Sequence, residues 1–174
     1  MGEAPRLNLF YKIGAGVYFK LRYNIDIMEF ITAGAGETHQ LAGKILKEVS
    51  GRRFQGALVL ALEGELGAGK TVFAQGLGKA IGVKEKILSP TFVIMRHFNI
   101  KTFKHFSDLY YLDCYRLESA KDLNFFNFKE ILKDKNNLVV IEWAERVTDI
   151  LPKDAVWIKF EHGGGNKRRV KIRI

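Results

Sequence analysis

The chain has 174 residues, 47% of them hydrophobic, which is the size and composition of one domain with a buried core. It contains no run of about 18 apolar residues, so the sequence predicts no membrane span. The formal net charge of +9 allows a nucleic acid, an acidic protein or an anionic nucleotide as partner, while the single cysteine, Cys114, excludes an internal disulfide and favours the cytoplasm.

Residues 1–27 stand apart from the rest of the sequence. They show no clean apolar period, and they lack the continuous apolar segment and the cleavage site of a signal peptide. Met28 then opens a segment that reads like the start of a domain. We therefore predict an N-terminal extension over residues 1–27, either disordered or absent from the native protein, and one folded domain over residues 28–174.

The domain is predicted to begin with a strand and a helix. Residues 29–32 read as a short edge strand, and Gly34-Ala-Gly36 reads as a turn. Residues 38–50 predict an amphipathic helix, because apolar residues recur at four-residue steps until Gly51 ends the pattern. These apolar residues are Leu41, Ile45 and Val49.

The next segment carries a phosphate-binding motif. Residues 64–71 read Gly-Glu-Leu-Gly-Ala-Gly-Lys-Thr, which matches the pattern G-x-x-x-x-G-K-[ST]. In that pattern the backbone N–H groups cradle a phosphate, Lys70 reaches the β and γ phosphates, and the Thr71 hydroxyl binds Mg²⁺. The apolar run over residues 57–62 predicts a buried strand before the loop, and helical spacing over residues 73–81 predicts a helix after it. The order strand, loop, helix predicts a nucleoside triphosphate site.

The middle of the chain is predicted to add a hairpin, a strand and a helix. Residues 92–95 are apolar and favour a strand, and the aromatic and basic residues 97–110 read as a hairpin. Residues 111–117 predict a strand that carries an acid, Asp113, and residues 123–132 predict a helix.

A second acid follows a strongly apolar strand. Residues 138–141 read Leu-Val-Val-Ile and are followed by Glu142, which is typical of a Walker B strand. The carboxylate would emerge at the C-terminal edge of the sheet, where open α/β sheets bind ligands, and would hold Mg²⁺ directly or through water. Trp143 is predicted to be a packing residue.

The C-terminal part predicts an antiparallel hairpin. Apolar and polar residues alternate over residues 156–161 and 170–174, and Gly163-Gly-Gly-Asn166 supplies the turn. The predicted fold class is therefore α/β and P-loop NTPase-like, with a mostly parallel central sheet and antiparallel strands at the C-terminal end.

The motifs and their order resemble those of the TsaE family (formerly YjeE), the bacterial ATPases of tRNA threonylcarbamoyladenosine synthesis. The resemblance spans about residue 30 to residue 174. The motifs are Glu63-Gly-Glu-Leu-Gly-Ala-Gly-Lys-Thr71, Ser89-Pro-Thr-Phe92, Asp113-Cys-Tyr-Arg-Leu117, Ile141-Glu-Trp143 and Leu151-Pro152.

The resemblance implies a small cytoplasmic P-loop ATPase that uses ATP and Mg²⁺. It implies two paralogous partners, TsaD and TsaB, one of which carries the threonylcarbamoyl-transfer site, and the complex modifies adenosine 37 of tRNA. The ATPase would meet tRNA only indirectly. Its hydrolysis would be slow alone, would rise with the partners, and would reset the transferase between turnovers.

The resemblance also implies roles for individual residues. The phosphate-loop residues are Glu65, Leu66, Gly67, Ala68, Gly69, Lys70 and Thr71. Thr71 and Glu142 would hold Mg²⁺. The lysine of the loop and Asp113 are the predicted catalytic residues, with Asp113 positioning the attacking water. Thr38 and Arg169 fall where the family contacts the adenine end.

Two of these assignments have neighbours that compete with them. The family usually has a histidine two residues before the aspartate, where this chain has Tyr111. The nearby segment His105-Phe-Ser-Asp108 contains a histidine before an aspartate, so Asp108 offers an alternative register. We prefer Asp113 because the Tyr-Arg-Leu triplet of the family motif follows it. Arg168 is adjacent to Arg169 and competes with it for the adenine role.

Two other function classes remain open at the level of the sequence. A small P-loop kinase acting on a nucleoside or metabolite would need an arginine-rich lid over the phosphates, and no arginine cluster lies between the helix and the next strand. A basic nucleic-acid-binding module without catalysis would not need the Lys70-Thr71 pair together with Glu142.

Overall fold

The computed structural model describes residues 27–174 and, before them, the backbone of three short strands. These are β1 (Lys12–Ile13), β2 (Val17–Tyr18) and β3 (Lys20–Arg22). The backbone of β3 pairs with the first strand of the folded domain. Apart from these strands and Ile27, residues 1–27 lie outside the described residues, so the prediction of a disordered or non-native extension stays a prediction.

The remaining elements alternate between strands and helices along the chain. The strands are β4 (Ile27–Thr32), β5 (Leu58–Gly64), β6 (Met95–Asn99), β7 (Asp108–Asp113), β8 (Asn137–Glu142), β9 (Val156–His162) and β10 (Arg168–Arg173). The α-helices are α1 (Ala35–Ser50), α2 (Lys70–Ala80) and α3 (Phe128–Lys133). Short 3-10 helices cover Ala120–Phe126, Ala144–Arg146 and Thr148–Ile150.

One sheet organises the described part of the chain. Its strand order is β3-β4-β10-β9-β5-β8-β7-β6. The four strands at the centre, β9, β5, β8 and β7, are parallel, and every pairing outside them is antiparallel. The predicted α/β class, with a parallel centre and an antiparallel C-terminal hairpin, is confirmed. The other margin of the sheet is antiparallel as well, through β6.

The central strands are apolar on both faces because helices cover both sides of the sheet. In β5, Leu58 and Leu60 pack into the core beneath α1 and α2, whereas Val59 and Ala61 pack toward α3. Full burial of one such leucine contributes about 1.5–3 kcal/mol. Among the described residues, no helix has the length and apolar character needed to cross a membrane.

The N-terminal elements differ in detail from the sequence-based prediction. Residues 29–32 do lie in a strand, but β4 is not an edge strand, because the backbone of β3 pairs along its outer side. Helix α1 begins at Ala35, three residues before its predicted start. Glu37 stabilises this earlier start, since its carboxylate accepts a hydrogen bond from the N–H of Ala33 at 2.7 Å.

The middle segment also differs in its boundaries. The predicted hairpin is present as the β6–β7 pair, but β6 begins at Met95 because the chain turns through residues 91–93. Strand β7 ends at Asp113, so the predicted strand over residues 111–117 is shifted toward the N-terminus. The predicted helix over residues 123–132 is interrupted at Asn127, whose φ of 51° is left-handed.

Close packing of α1 against α2 depends on a glycine. A Cβ added to Gly76 would lie 2.6 Å from the Cα of His39 and 2.8 Å from its carbonyl oxygen. Gly76→Ala is therefore expected to lower the free energy of unfolding by about 1–3 kcal/mol, measured by urea denaturation. The matched control is Gly36→Ala in α1, where a Cβ meets nothing within 4 Å. Equal effects of the two substitutions would contradict this account of the interface.

Candidate functional site

The loop between β5 and α2 has the backbone of an anion cradle. Gly64, Gly67 and Gly69 all have positive φ, at 133°, 74° and 110°. At Gly64 a side chain is also excluded by space, because a Cβ would lie 2.3 Å from the carbonyl oxygen of Phe160. Gly69 precedes α2 and supplies no side-chain cap. The first N–H groups of α2 therefore point toward the loop, where an anion would satisfy them.

Lys70 lies inside this loop rather than at the protein surface. Only 4% of the residue is exposed, and its Nζ donates hydrogen bonds to the carbonyl oxygens of Gly64 at 2.5 Å and Glu65 at 2.9 Å. The same ammonium lies 3.9 Å from the ring centroid of Trp143. Burial lowers the pKa of Lys70, and nearby carboxylates oppose this shift. These carboxylates belong to Glu142, Glu145 and Asp113.

Thr71 and Glu142 form a pair of oxygen donors beside the loop. Glu142 ends β8 and lies opposite Leu62 of β5, so the sheet brings its carboxylate to the start of α2. It is 97% buried, and its Oε1 accepts a hydrogen bond from the hydroxyl of Tyr111. Thr71 lies beside Tyr111 and Glu142 and lowers the pKa of both groups. One hydroxyl and one carboxylate fit Mg²⁺, which keeps several waters and takes its other ligands from phosphate.

Burial and hydrogen bonding set the protonation of Glu142 and of its neighbour Tyr111. Burial raises the pKa of Glu142, while hydrogen bonds from Tyr111 and Thr71 act in the opposite direction. Burial and the charge of Glu142 raise the pKa of the Tyr111 phenol, so this hydroxyl stays protonated and acts as the donor. Among the described residues, no group of three or more His, Cys, Asp or Glu side chains is arranged to hold a metal ion.

Asp113 lies at the same edge of the sheet, opposite Glu142 on the neighbouring strand. Its Oδ2 accepts hydrogen bonds from the hydroxyls of Ser89 and Thr91, both at 2.6 Å. Its Oδ1 accepts from the backbone N–H of Tyr115 at 2.9 Å. The side chain is 97% buried, so three donors hold a carboxylate that borders the phosphate loop.

The competing aspartate, Asp108, lies at the opposite end of β7. Its Oδ1 contacts the Nε2 of His97 at 2.6 Å and accepts from the Nδ2 of Asn99 at 2.9 Å. Asp108 and Asp113 are five positions apart along the extended strand, which corresponds to roughly 17 Å. Asp108 therefore faces a different region of the molecule from the phosphate loop.

These groups converge on one cleft of about 300 Å³. Its lining includes seven of the predicted site residues, and Lys70, Thr71, Asp113 and Glu142 are the four with polar side chains. The other lining residues are Leu66, Gly67, Gly69, Val72, Ser89, Thr91, Tyr115 and Trp143. Ala68 is fully buried and Glu65 lines a second cavity, so these two predicted loop residues do not line the cleft.

The second cavity, of about 750 Å³, is larger but has the wrong charge for a triphosphate. Four glutamates line it, with Lys159 and His162 as the basic groups. The glutamates are Glu63, Glu65, Glu145 and Glu161. Burial raises the pKa of Glu145, and the charge of Glu63 adds to this. Of the two cavities, the smaller one therefore suits the charge of a triphosphate better, and it is the candidate nucleotide cleft.

Thr38 and Arg169, the residues predicted at the adenine end, do not line this cleft. Thr38 is 99% buried, and its hydroxyl hydrogen-bonds with the hydroxyl of Thr32 at 2.9 Å and the carbonyl oxygen of Gly34 at 3.1 Å. The guanidinium of Arg169 lies 3.4 Å from a carboxylate oxygen of Glu29 on β4.

The neighbouring arginine, Arg168, lies beside the phosphate loop instead. A Cβ on Gly69 would lie 3.6 Å from the Cγ of Arg168. The guanidinium donates to the carbonyl oxygens of Gly165 at 3.2 Å and Lys167 at 2.8 Å. Successive strand residues point to opposite faces, so only one of the two adjacent arginines can border the loop.

Several residues of the cleft had no assigned role at the level of the sequence. Ser89 and Thr91 were part of a motif, but their hydroxyls could not be connected to Asp113 without the fold. Trp143 was expected to be a packing residue, and its ring contacts both the Lys70 ammonium and the side chain of Tyr115. The Ser-x-Thr spacing is the one signal that could have suggested paired hydroxyl donors.

The strand, phosphate loop and helix, with an acid at the end of the adjacent parallel strand, define a P-loop NTPase-like nucleotide-binding protein. The crystal structure of Bacillus subtilis YdiB has the same fold, with a TM-score of 0.63, 23% identity and 86% coverage of each chain. The sequence model described as threonylcarbamoyl adenosine biosynthesis protein TsaE matches residues 32–170. The chain therefore belongs to the TsaE family, which confirms the resemblance noted in its motifs.

Individual relatives agree with this membership. A Treponema pallidum protein is 34% identical over 124 residues, which cover 71% of this chain and 87% of the relative. A Nostoc protein is 36% identical over 116 residues, which cover 66% of this chain and 68% of the relative. Both relatives carry the name tRNA threonylcarbamoyladenosine biosynthesis protein TsaE.

Proposed function

We propose that this protein binds ATP with Mg²⁺ and hydrolyses the ATP as part of the bacterial tRNA threonylcarbamoyladenosine pathway. One observation carries the nucleotide assignment. A cation, a hydroxyl and two carboxylates converge on one cleft at the C-terminal ends of adjacent parallel strands. They belong to Lys70, Thr71, Asp113 and Glu142. Membership of the TsaE family supports the pathway.

Each group has a role that its position supports. The loop N–H groups and the Lys70 ammonium would bind the β and γ phosphates. Thr71 and Glu142 would hold Mg²⁺, which neutralises charge on the phosphates when bound. Asp113 would orient the attacking water by accepting a hydrogen bond from it.

The adenine end is proposed to lie toward the N-terminus of α1 and the start of β10. Thr32 joins these two elements, because its hydroxyl hydrogen-bonds with that of Thr38 and its backbone lies opposite Arg168. Arg168 also borders Gly69, so it is better placed than Arg169 to contact the nucleotide beyond the phosphates.

We further propose that the transferase subunits TsaD and TsaB stimulate hydrolysis, in the cytoplasm and with only indirect contact to tRNA. In the described structure both oxygens of Asp113 already accept hydrogen bonds, so a water must compete with the hydroxyls of Ser89 and Thr91. The same loop exposes 83% of Phe92 and 58% of Val93. A partner that packs on these apolar side chains would move the hydroxyls and make Asp113 available.

The test measures ATP hydrolysis by the protein alone, with the two transferase subunits, and with nucleosides or metabolites as phosphate acceptors. We expect slow hydrolysis alone, a clear rise with the subunits, and loss of threonylcarbamoyladenosine from tRNA in cells depleted of the protein. Phosphate transfer to an acceptor would favour the small P-loop kinase instead. Unchanged tRNA modification together with fast unassisted hydrolysis would contradict the proposal.

A further inference from the structure

Tyr111 is a buried residue whose hydroxyl is hydrogen-bonded to a carboxylate of the candidate site. The residue lies in β7, opposite Val140 of β8, and none of its surface is exposed. A buried phenol costs free energy unless its hydroxyl is hydrogen-bonded. Here the hydroxyl donates to Oε1 of Glu142, which ends the adjacent strand.

This hydrogen bond restricts the carboxylate that stands beside the phosphate loop. A glutamate side chain at the end of a strand has three rotatable bonds, and one anchored oxygen removes most of that freedom. The partly buried Thr71 lies beside both side chains and lowers the pKa of each, so the phenol, the carboxylate and the hydroxyl are neighbours at one place. Phenylalanine would fill the same space in the core and would leave the carboxylate without its anchor.

We propose that Tyr111 is a positioning residue for the Mg²⁺ ligands: it holds Glu142 against Thr71 and thereby sets the Mg²⁺ affinity of the nucleotide-bound protein. The inference rests on the proposed ATP site, in which Thr71 and Glu142 are the metal ligands. Groups that orient the ligands of a metal commonly change its affinity by about 10- to 100-fold when they are removed.

The test compares Tyr111→Phe with the wild type in calorimetric titrations of a non-hydrolysable ATP analogue. One titration contains EDTA and the other contains saturating Mg²⁺. We expect the affinities in EDTA to agree within about twofold, whereas the gain in affinity on adding Mg²⁺ falls by about 10-fold or more in the variant. An unchanged Mg²⁺ gain would overturn the proposal, as would a parallel loss in both titrations.

The matched control is Tyr110→Phe on the same strand. Tyr110 stacks on His97 with ring centroids 4.7 Å apart, and it is not part of the lining of the nucleotide cleft. This control should bind the analogue like the wild type with and without Mg²⁺. Loss of the Mg²⁺ gain in the control as well would show that any change in β7 disturbs the site, and would overturn a specific role for Tyr111.

A double variant covers the case in which Tyr111→Phe folds poorly because it leaves a buried carboxylate unpaired. Glu142→Gln removes that charge. The Glu142→Gln single variant is therefore compared with the double variant that also carries Tyr111→Phe. If Tyr111 acts through Glu142, the second substitution causes no further loss of the Mg²⁺ gain. An additional loss of similar size would contradict the inference. Failure of the wild type itself to bind the analogue would instead contradict the proposed function.

Discussion

Lys70→Ala is expected to weaken Mg-ATP binding by at least about 100-fold, because a charge-assisted hydrogen bond to phosphate contributes about 1.5–3 kcal/mol and Lys70 is placed to make more than one. The lysine is already held over the loop by the carbonyl oxygens of Gly64 and Glu65, so little side-chain entropy remains to be lost on binding. Isothermal titration calorimetry with Mg-ATP measures the change.

The control for this prediction is Lys79→Ala, in the last turn of the same helix. Its ammonium contacts His39 at 3.3 Å, at the end of α2 that points away from the phosphate loop. We expect Lys79→Ala to bind Mg-ATP with wild-type affinity. A thermal unfolding curve for each variant separates loss of binding from loss of fold. Unchanged affinity in a folded Lys70→Ala variant would remove the basis of the nucleotide assignment.

The phosphate loop and the acidic strand could be predicted because their signals are local. The loop needs glycines at fixed offsets from Lys70, and β8 needs a short apolar run that ends in Glu142. The fold class follows from these two features, since a buried strand that enters such a loop requires a parallel neighbour and helices on both faces. The order of the family motifs along the chain is a further signal that the sequence itself contains.

The remaining parts of the site depend on contacts between distant residues. The hydroxyls of Ser89 and Thr91 reach Asp113 across more than 20 positions of sequence, and the bond from Tyr111 to Glu142 spans 31 positions. No periodic pattern encodes such pairings. They arise because parallel strands end together at one edge of the sheet, which places the ends of β7 and β8 side by side.

Strand parity explains the outcome for the two adjacent arginines. A shift of one residue moves a side chain to the other face of a sheet, so a motif aligned without the register cannot separate Arg168 from Arg169. The pairing of Arg168 with Thr32 and His162 fixes that register. Arg168 then borders the loop, and Arg169 pairs with Glu29.

Asp113→Asn is expected to leave Mg-ATP affinity nearly unchanged and to lower hydrolysis by about 10²- to 10⁴-fold, the contribution typical of a general base. Asparagine keeps the size of the side chain, and the hydroxyls of Ser89 and Thr91 can rotate to match either atom of its amide. It lacks the charge that would polarise the attacking water. Single-turnover hydrolysis, with the partner subunits present, measures the effect.

Asp108→Asn is the matched control for the hydrolytic role, because Asp108 belongs to the same strand and pairs with His97 at its far end. We expect hydrolysis close to the wild-type rate in this control.

A double variant separates two explanations for slow hydrolysis by the Asp113→Asn variant. If the carboxylate serves only to hold the loop, Ser89→Ala combined with Thr91→Val should slow hydrolysis as much as Asp113→Asn does. If the carboxylate acts on water, that double variant should hydrolyse ATP faster without partners, since it frees the Oδ2 of Asp113 that the two hydroxyls now occupy. A damaging Asp108→Asn with a near wild-type Asp113→Asn would show that the catalytic aspartate has been placed at the wrong end of β7.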